Sequence, residues 1–104
     1  MTARRSINFR RIASDAARRA ADIVPRWLPD GRREAGEWVA KNPRRADRWP
    51  GSFKVNLKSG KWADFATGDK GGDLISLGAY LFNLDQAEAA VRVAAMLGVH
   101  PYDD

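Results

Sequence analysis

The sequence contains no cysteine and a single histidine, His100. That excludes a disulfide framework and a thiolate-ligated zinc site, and it removes the usual ligands of a transition-metal centre. Lack of cysteine also accords with a reducing cytoplasm, the compartment expected for this chain. No apolar run approaches the ~18–20 residues that span a bilayer, so no membrane association is expected. The basic N-terminus, "MTARRSINFRR", lacks the apolar stretch of a secretory signal. Nucleophile–base pairs are missing as well. With no thiol, and with His100 beside Pro101 at an end expected to be loose, the chain is read as a non-enzyme that needs no cofactor.

What is present is enough for one small domain. The 104 residues are 44% apolar and 30% charged, with no repeat, low-complexity tract or long linker to divide 1–104. The charge is unevenly placed. Residues 1–50 hold 13 Lys/Arg against 6 Asp/Glu, whereas residues 51–104 hold 5 against 7. A basic half of this kind suits a polyanion partner, although solvated charge serves solubility equally well.

Periodicity predicts an α+β fold: a small antiparallel sheet packed with an N-terminal helix and two C-terminal helices. Over 8–28, Phe9, Ile12, Ala13, Ala16, Ala20, Ile23, Val24 and Trp27 recur at helical spacing. Asn8 or Ser6 can cap that helix, Asp15–Arg19 and Asp22–Arg26 can pair, and Pro25 should stop or bend it. "LPDGRREAG" reads as a turn-rich connection and "EWVA" as a short strand. "SFKVNL" alternates as a half-buried strand, and "KWADFA" returns beside it. A three-residue loop ending at Gly60 would pair Val55 with Ala63 and Phe53 with Phe65, leaving Trp62 on the outer face with Lys54 and Asn56. Asp73 is placed to cap one helix. Asp85, with Glu88 closing a capping-box-like pair, should open another that ends at Gly98, with Ala87, Ala90, Val91, Ala94 and Leu97 as its buried stripe.

Two constellations could carry function. Asp64, Asp69 and Asp73 flank the loop "FATGDKGGD" and could in principle hold magnesium. The simpler assignment pairs Asp64 with Lys54 across the hairpin, puts Asp69 in a turn and makes Asp73 a cap. The same loop could cradle phosphate, but it lacks the Gly-Lys-Ser/Thr ending of a P-loop. The stronger constellation is basic and aromatic: Lys41, Arg44, Arg45, Arg48 and Trp49, with Lys54, Lys58, Lys61 and Trp62 on the adjoining hairpin. Cations of this kind track a phosphate backbone while exposed rings stack on unpaired bases. Trp27 and Trp38 are read as core anchors; for Trp49 and Trp62 both roles stay open.

The run from Trp38 through "PGSF" (50–53), "KW" (61–62) and "GGD" (71–73), with the helix that follows, resembles the N-terminal zinc-ribbon domain of DnaG-type primases. It is most similar to the version found in phage- and plasmid-type primase/helicase proteins. The resemblance covers about residues 36–99. Where that family carries its Cys/His ligands, this chain has residues near Pro43 and Ala46, and Asp64 and Thr67 or the residues one later, so all metal ligands are lost. The resemblance implies a metal-free accessory domain that binds single-stranded DNA in phage- or plasmid-type replication, supporting a separate catalytic domain. It implies a primase-like polymerase or helicase as a further partner. The alternative is a protein-binding adaptor or inhibitor that docks onto such an enzyme, or onto a host defence protein, through the same surface. The chain is either a stand-alone protein or the N-terminal segment of a larger one.

Overall fold

A computed structural model describes residues 6–45 and 51–103. The fold is α+β. Helices α1 (Phe9–Ala17) and α2 (Ala20–Trp27) lead into five strands: β1 (Arg32–Glu34), β2 (Glu37–Ala40), β3 (Phe53–Asn56), β4 (Trp62–Asp64) and β5 (Lys70–Gly71). Helices α3 (Leu74–Phe82) and α4 (Gln86–Leu97) close the chain. The strands form one antiparallel meander in the order β1-β2-β3-β4-β5.

The expected N-terminal helix is two helices. Asn8 caps α1 by accepting from the Arg11 N–H, but the helix breaks at Arg18 and Arg19 and Pro25 lies inside α2. The break falls just before Ala21, whose carbonyl is the one the Pro25 ring crowds and leaves without a donor. Asp15 pairs with Arg18, one turn on, rather than with Arg19. Ile12, Ala16, Ala20, Ile23 and Val24 still form one buried stripe, because the two segments nearly continue each other's phase.

The connection after α2 contains a strand that its composition conceals. Arg32, Arg33 and Glu34 pair with Val39, Trp38 and Glu37 around a two-residue turn in which Ala35 and Gly36 both have positive φ, 50° and 83°. That is the arrangement of a type I′ turn, where alanine is strained and Asn-Gly is favoured. Ala35→Asn is therefore expected to stabilise the protein by about 1 kcal/mol and to raise Tm by roughly 4–8 °C in thermal denaturation.

Along β3, Phe53 and Val55 are buried and face the helices, as alternation predicts. The register of β4 differs from the expected one. The β3–β4 loop has four residues, 57–60, with Gly60 at φ 81° and the Asn56 N–H donating to the Lys61 carbonyl at 2.7 Å. Val55 therefore pairs with Trp62 and Phe53 with Asp64. A one-residue shift exchanges the faces of a strand, so Trp62 turns inward and Phe65 outward.

The inner face of the sheet joins all four helices in one core, with Phe53, Val55, Leu74, Ile75 and Leu77 at its centre. Helix α1 packs on both α3 and α4. Asp73 and Asp85 cap α3 and α4, accepting from the Ser76 and Glu88 N–H groups at 2.9 and 2.7 Å. The Glu88 carboxylate accepts from Arg92 instead of returning to the cap. Helix α4 buries Ala89, Ala90, Val93 and Ala94, a face rotated from the expected one; Ala87 is exposed. Gly98 ends it in the left-handed region, at φ 72°. The C-terminal residues are tied down: the Asn8 and Asp103 N–H groups donate to Pro101 and Ser6 carbonyls, and Arg11 donates to the His100 and Tyr102 carbonyls. His100 itself is exposed.

Candidate nucleic-acid interface

Two turns at one end of the sheet are joined by a polar network. The 42–45 turn follows β2, and the 64–68 turn follows β4. Asp64 is fully buried and so is Asn42. The Asp64 carboxylate accepts from the Ala66 N–H at 2.8 Å on one oxygen, and from Asn42 Nδ2 at 2.8 Å on the other. Arg45 Nε lies 3.3 Å from that second oxygen, and Arg45 also donates to Ser52 Oγ. Asn42 Nδ2 reaches Tyr80 Oη, while the Tyr80 hydroxyl donates to Asp69 at 2.9 Å. Burial alone would raise the Asp64 carboxyl. The donors from Asn42 and Ala66, the Arg45 charge and Ser52 outweigh it and hold the group below its ordinary value of 3.8. Burial beside Asp69 and Asp64 pushes the Tyr80 hydroxyl up, against the Asn42 hydrogen bond, which keeps it a neutral donor.

These contacts replace the expected Asp64–Lys54 pair, since Asp64 faces inward and Lys54 outward. Asp69 accepts from Thr67 and Tyr80, and Asp73 is a cap. Among the described residues no three His, Cys, Asp or Glu side chains gather at a metal-binding distance. Both oxygens of Asp64 are taken by N–H donors, so this end of the sheet does not fit a zinc ion. Of the three glycines of "GDKGGD", Gly71 serves close packing, since a Cβ there would run into Ser76 Oγ and Trp62 Nε1, whereas Gly68 turns the chain at φ 84°.

The nine basic and aromatic candidates divide. Trp62 is core, 5% exposed, with its ring 5.8 Å from Phe53 and 4.7 Å from Tyr80 and its Nε1 donating to Ser76. It is not available for base stacking. Arg45 is committed to Asp64, and Arg44 lies 5.0 Å over the Tyr80 ring, donating to the Tyr80 carbonyl. Lys41, Lys58 and Lys61 are exposed. Arg48 and Trp49 lie outside the described residues. Trp27 and Trp38 pack on the core as expected, Trp38 donating to the Leu28 carbonyl at 2.8 Å.

The residue the sequence reading missed is Phe65. It is 72% exposed, and Lys54 Nζ stands 5.9 Å from its ring centroid. The Phe65 N–H donates to the Ser52 carbonyl, which continues the β3–β4 ladder and fixes the ring on the outer face. Glu37, Lys54, Asn56, Lys61, Ala63 and Phe65 rim a shallow hollow of about 270 Å³ there. One register row crosses the sheet as Arg32, Val39, Lys54, Ala63 and Lys70, placing a cation on every second strand. The signal for Phe65 was the even number of loop residues between Asn56 and Lys61, which no single residue type announces.

No protein-family model matches this chain, and no curated protein matches its sequence. Among the described residues, no helix is long and apolar enough to cross a membrane.

Proposed function

We propose that this protein is a non-catalytic, cytoplasmic single-stranded DNA-binding domain that serves phage- or plasmid-type replication as a metal-free relative of the primase zinc ribbon. The observation that carries the reading is Phe65, an exposed ring on an open sheet face beside Lys54 and Lys61. An aromatic platform among lysines accepts any base by stacking and any phosphate by charge. The Asp64–Asn42–Arg45 network supports the kinship, because it joins the two turns at which the resemblance locates the lost ligands. In this reading hydrogen bonds and one ion pair take over the clamping of the sheet's end. Fluorescence anisotropy of a labelled oligothymidylate tests it. Binding is expected at low salt, with log K falling against log salt at a slope of roughly −2 to −3, the value for three or four phosphate contacts on a single strand. Absence of binding at low salt overturns the reading.

An adaptor role for a polymerase, helicase or host defence protein is favoured by one observation. A hollow of about 450 Å³ between α2, α3 and α4 is lined by Trp27, Phe82, Leu84, Val93 and Met96, with Phe82 and Met96 exposed. Phe82→Asp is expected to abolish protein capture under this reading and to leave oligonucleotide binding unchanged.

A further inference from the structure

At the opposite end of the sheet from Asp64, the β1–β2 and β3–β4 turns meet, the Leu57 N–H donating to the Gly36 carbonyl at 3.1 Å. The end of α1 reaches the same place. Ala17, Arg18, Arg33, Gly36, Leu57 and Lys58 enclose a cleft of about 470 Å³. Three cations from three separate elements line it, and no carboxylate does.

Each cation is set in place by the fold. Arg33 is the register partner of Trp38, so it points to the helix side of the edge strand. The loop bearing Lys58 is fixed by Asn56, whose Oδ1 accepts from both the Lys58 and Ser59 N–H groups at 2.9 Å. Asp15 holds Arg18 from one turn back, without lining the cleft. Among the described residues, no carboxylate pairs with Arg33 or Lys58. Arg18 has its counter-ion in Asp15, but Arg33 and Lys58 bring like charge to the same concavity with no paired carboxylate, and a bound anion relieves that repulsion.

We infer that this cleft is a phosphate-binding site, separate from the Phe65 platform. Its ligand class is a doubly charged phosphate or a run of phosphodiesters, held by guanidinium and ammonium donors. Resting on the reading of the sheet face as a DNA platform, the source we favour is the same strand. Phe65 and Lys61 flank β4, four residues apart along extended chain, about 13 Å at ~3.3 Å per residue. A strand leaving the ring past Lys61 reaches the Lys58 loop at the end of the sheet, where it turns from the outer face to the helix side to meet Arg33.

The test uses the full chain and two probes. In the first arm, pyrophosphate is titrated and amide NMR shifts are followed. Saturable shifts at Arg33, Gly36 and Lys58 are expected, with affinity lowered roughly tenfold by Arg33→Ala, as for loss of one charged hydrogen bond. Shifts that do not saturate, or that spread evenly over the surface, overturn the proposal. This arm does not depend on the sheet-face reading, and it is repeated in Phe65→Ala, where the pyrophosphate response should persist. In the second arm, three-nucleotide and twelve-nucleotide oligothymidylates are compared. Loss in Arg33→Ala of the longer oligomer's advantage assigns the site to the strand. Retention of that advantage, with weakened pyrophosphate binding, assigns it to a free phosphate compound. Wild-type-like pyrophosphate binding by Arg33→Ala rejects the site.

Discussion

Trp62→Ala is expected to cost roughly 3–5 kcal/mol, the range for truncating a large core aromatic. Trp62 packs in a three-ring cluster with Phe53 and Tyr80, is 5% exposed, and has Gly71 so close to its Nε1 that no larger residue fits there. Truncation would leave a void at the junction of β3, β4 and α3, with the Ser76 hydroxyl losing its indole donor. In a domain of this size the loss corresponds to a Tm drop of roughly 12–40 °C. Phe65→Ala, three residues away, is expected to change stability by less than about 0.5 kcal/mol, because its ring is already in water. Thermal denaturation of the two variants side by side checks the register. Equal costs would mean that the two side chains do not lie on opposite faces.

The second large effect belongs to Asp64. Asp64→Asn keeps the volume but sets a second amide where a carboxylate accepts from Asn42, Ala66 and Arg45. Removing the charge leaves the Arg45 guanidinium without its counter-ion beside a buried amide, for an expected loss of about 3 kcal/mol. The pH dependence gives an independent signature. The folded carboxyl titrates below its unfolded value of 3.8. Its contribution is therefore complete above that pH and is lost as pH falls through the folded value. Wild-type Tm should show this decline below about pH 3.8, and Asp64→Asn should lack that component. An identical acid profile in the two proteins would mean that Asp64 does not clamp this end of the sheet.

Much of the fold was legible because it is locally encoded. The caps Asn8, Asp73 and Asp85 and the alternation of Phe53, Val55 and Leu57 are short-range signals, and the structure bears them out. Strands β1 and β5 were not legible. Arg32–Glu34 and Lys70–Gly71 have turn-like composition and become strands only by pairing with β2 and β4. The face of α4 was ambiguous because alanines and valines surround the helix, so periodicity selects no single stripe. The candidate site was half legible. Lysines at 54, 58 and 61 announce themselves, but which aromatic accompanies them depends on a one-residue register choice. The inward turn of Asp64 is part of the same choice, and nothing about an aspartate at that position announces burial.

The central claim is that an exposed phenylalanine on the open sheet face binds unpaired bases. The most direct test is the affinity of a twelve-nucleotide oligothymidylate for Phe65→Ala relative to wild type, at low salt. Stacking contributes about 1–3 kcal/mol per base, so affinity should fall roughly 5- to 150-fold with Tm unchanged. Unchanged affinity in a folded Phe65→Ala protein would contradict the account.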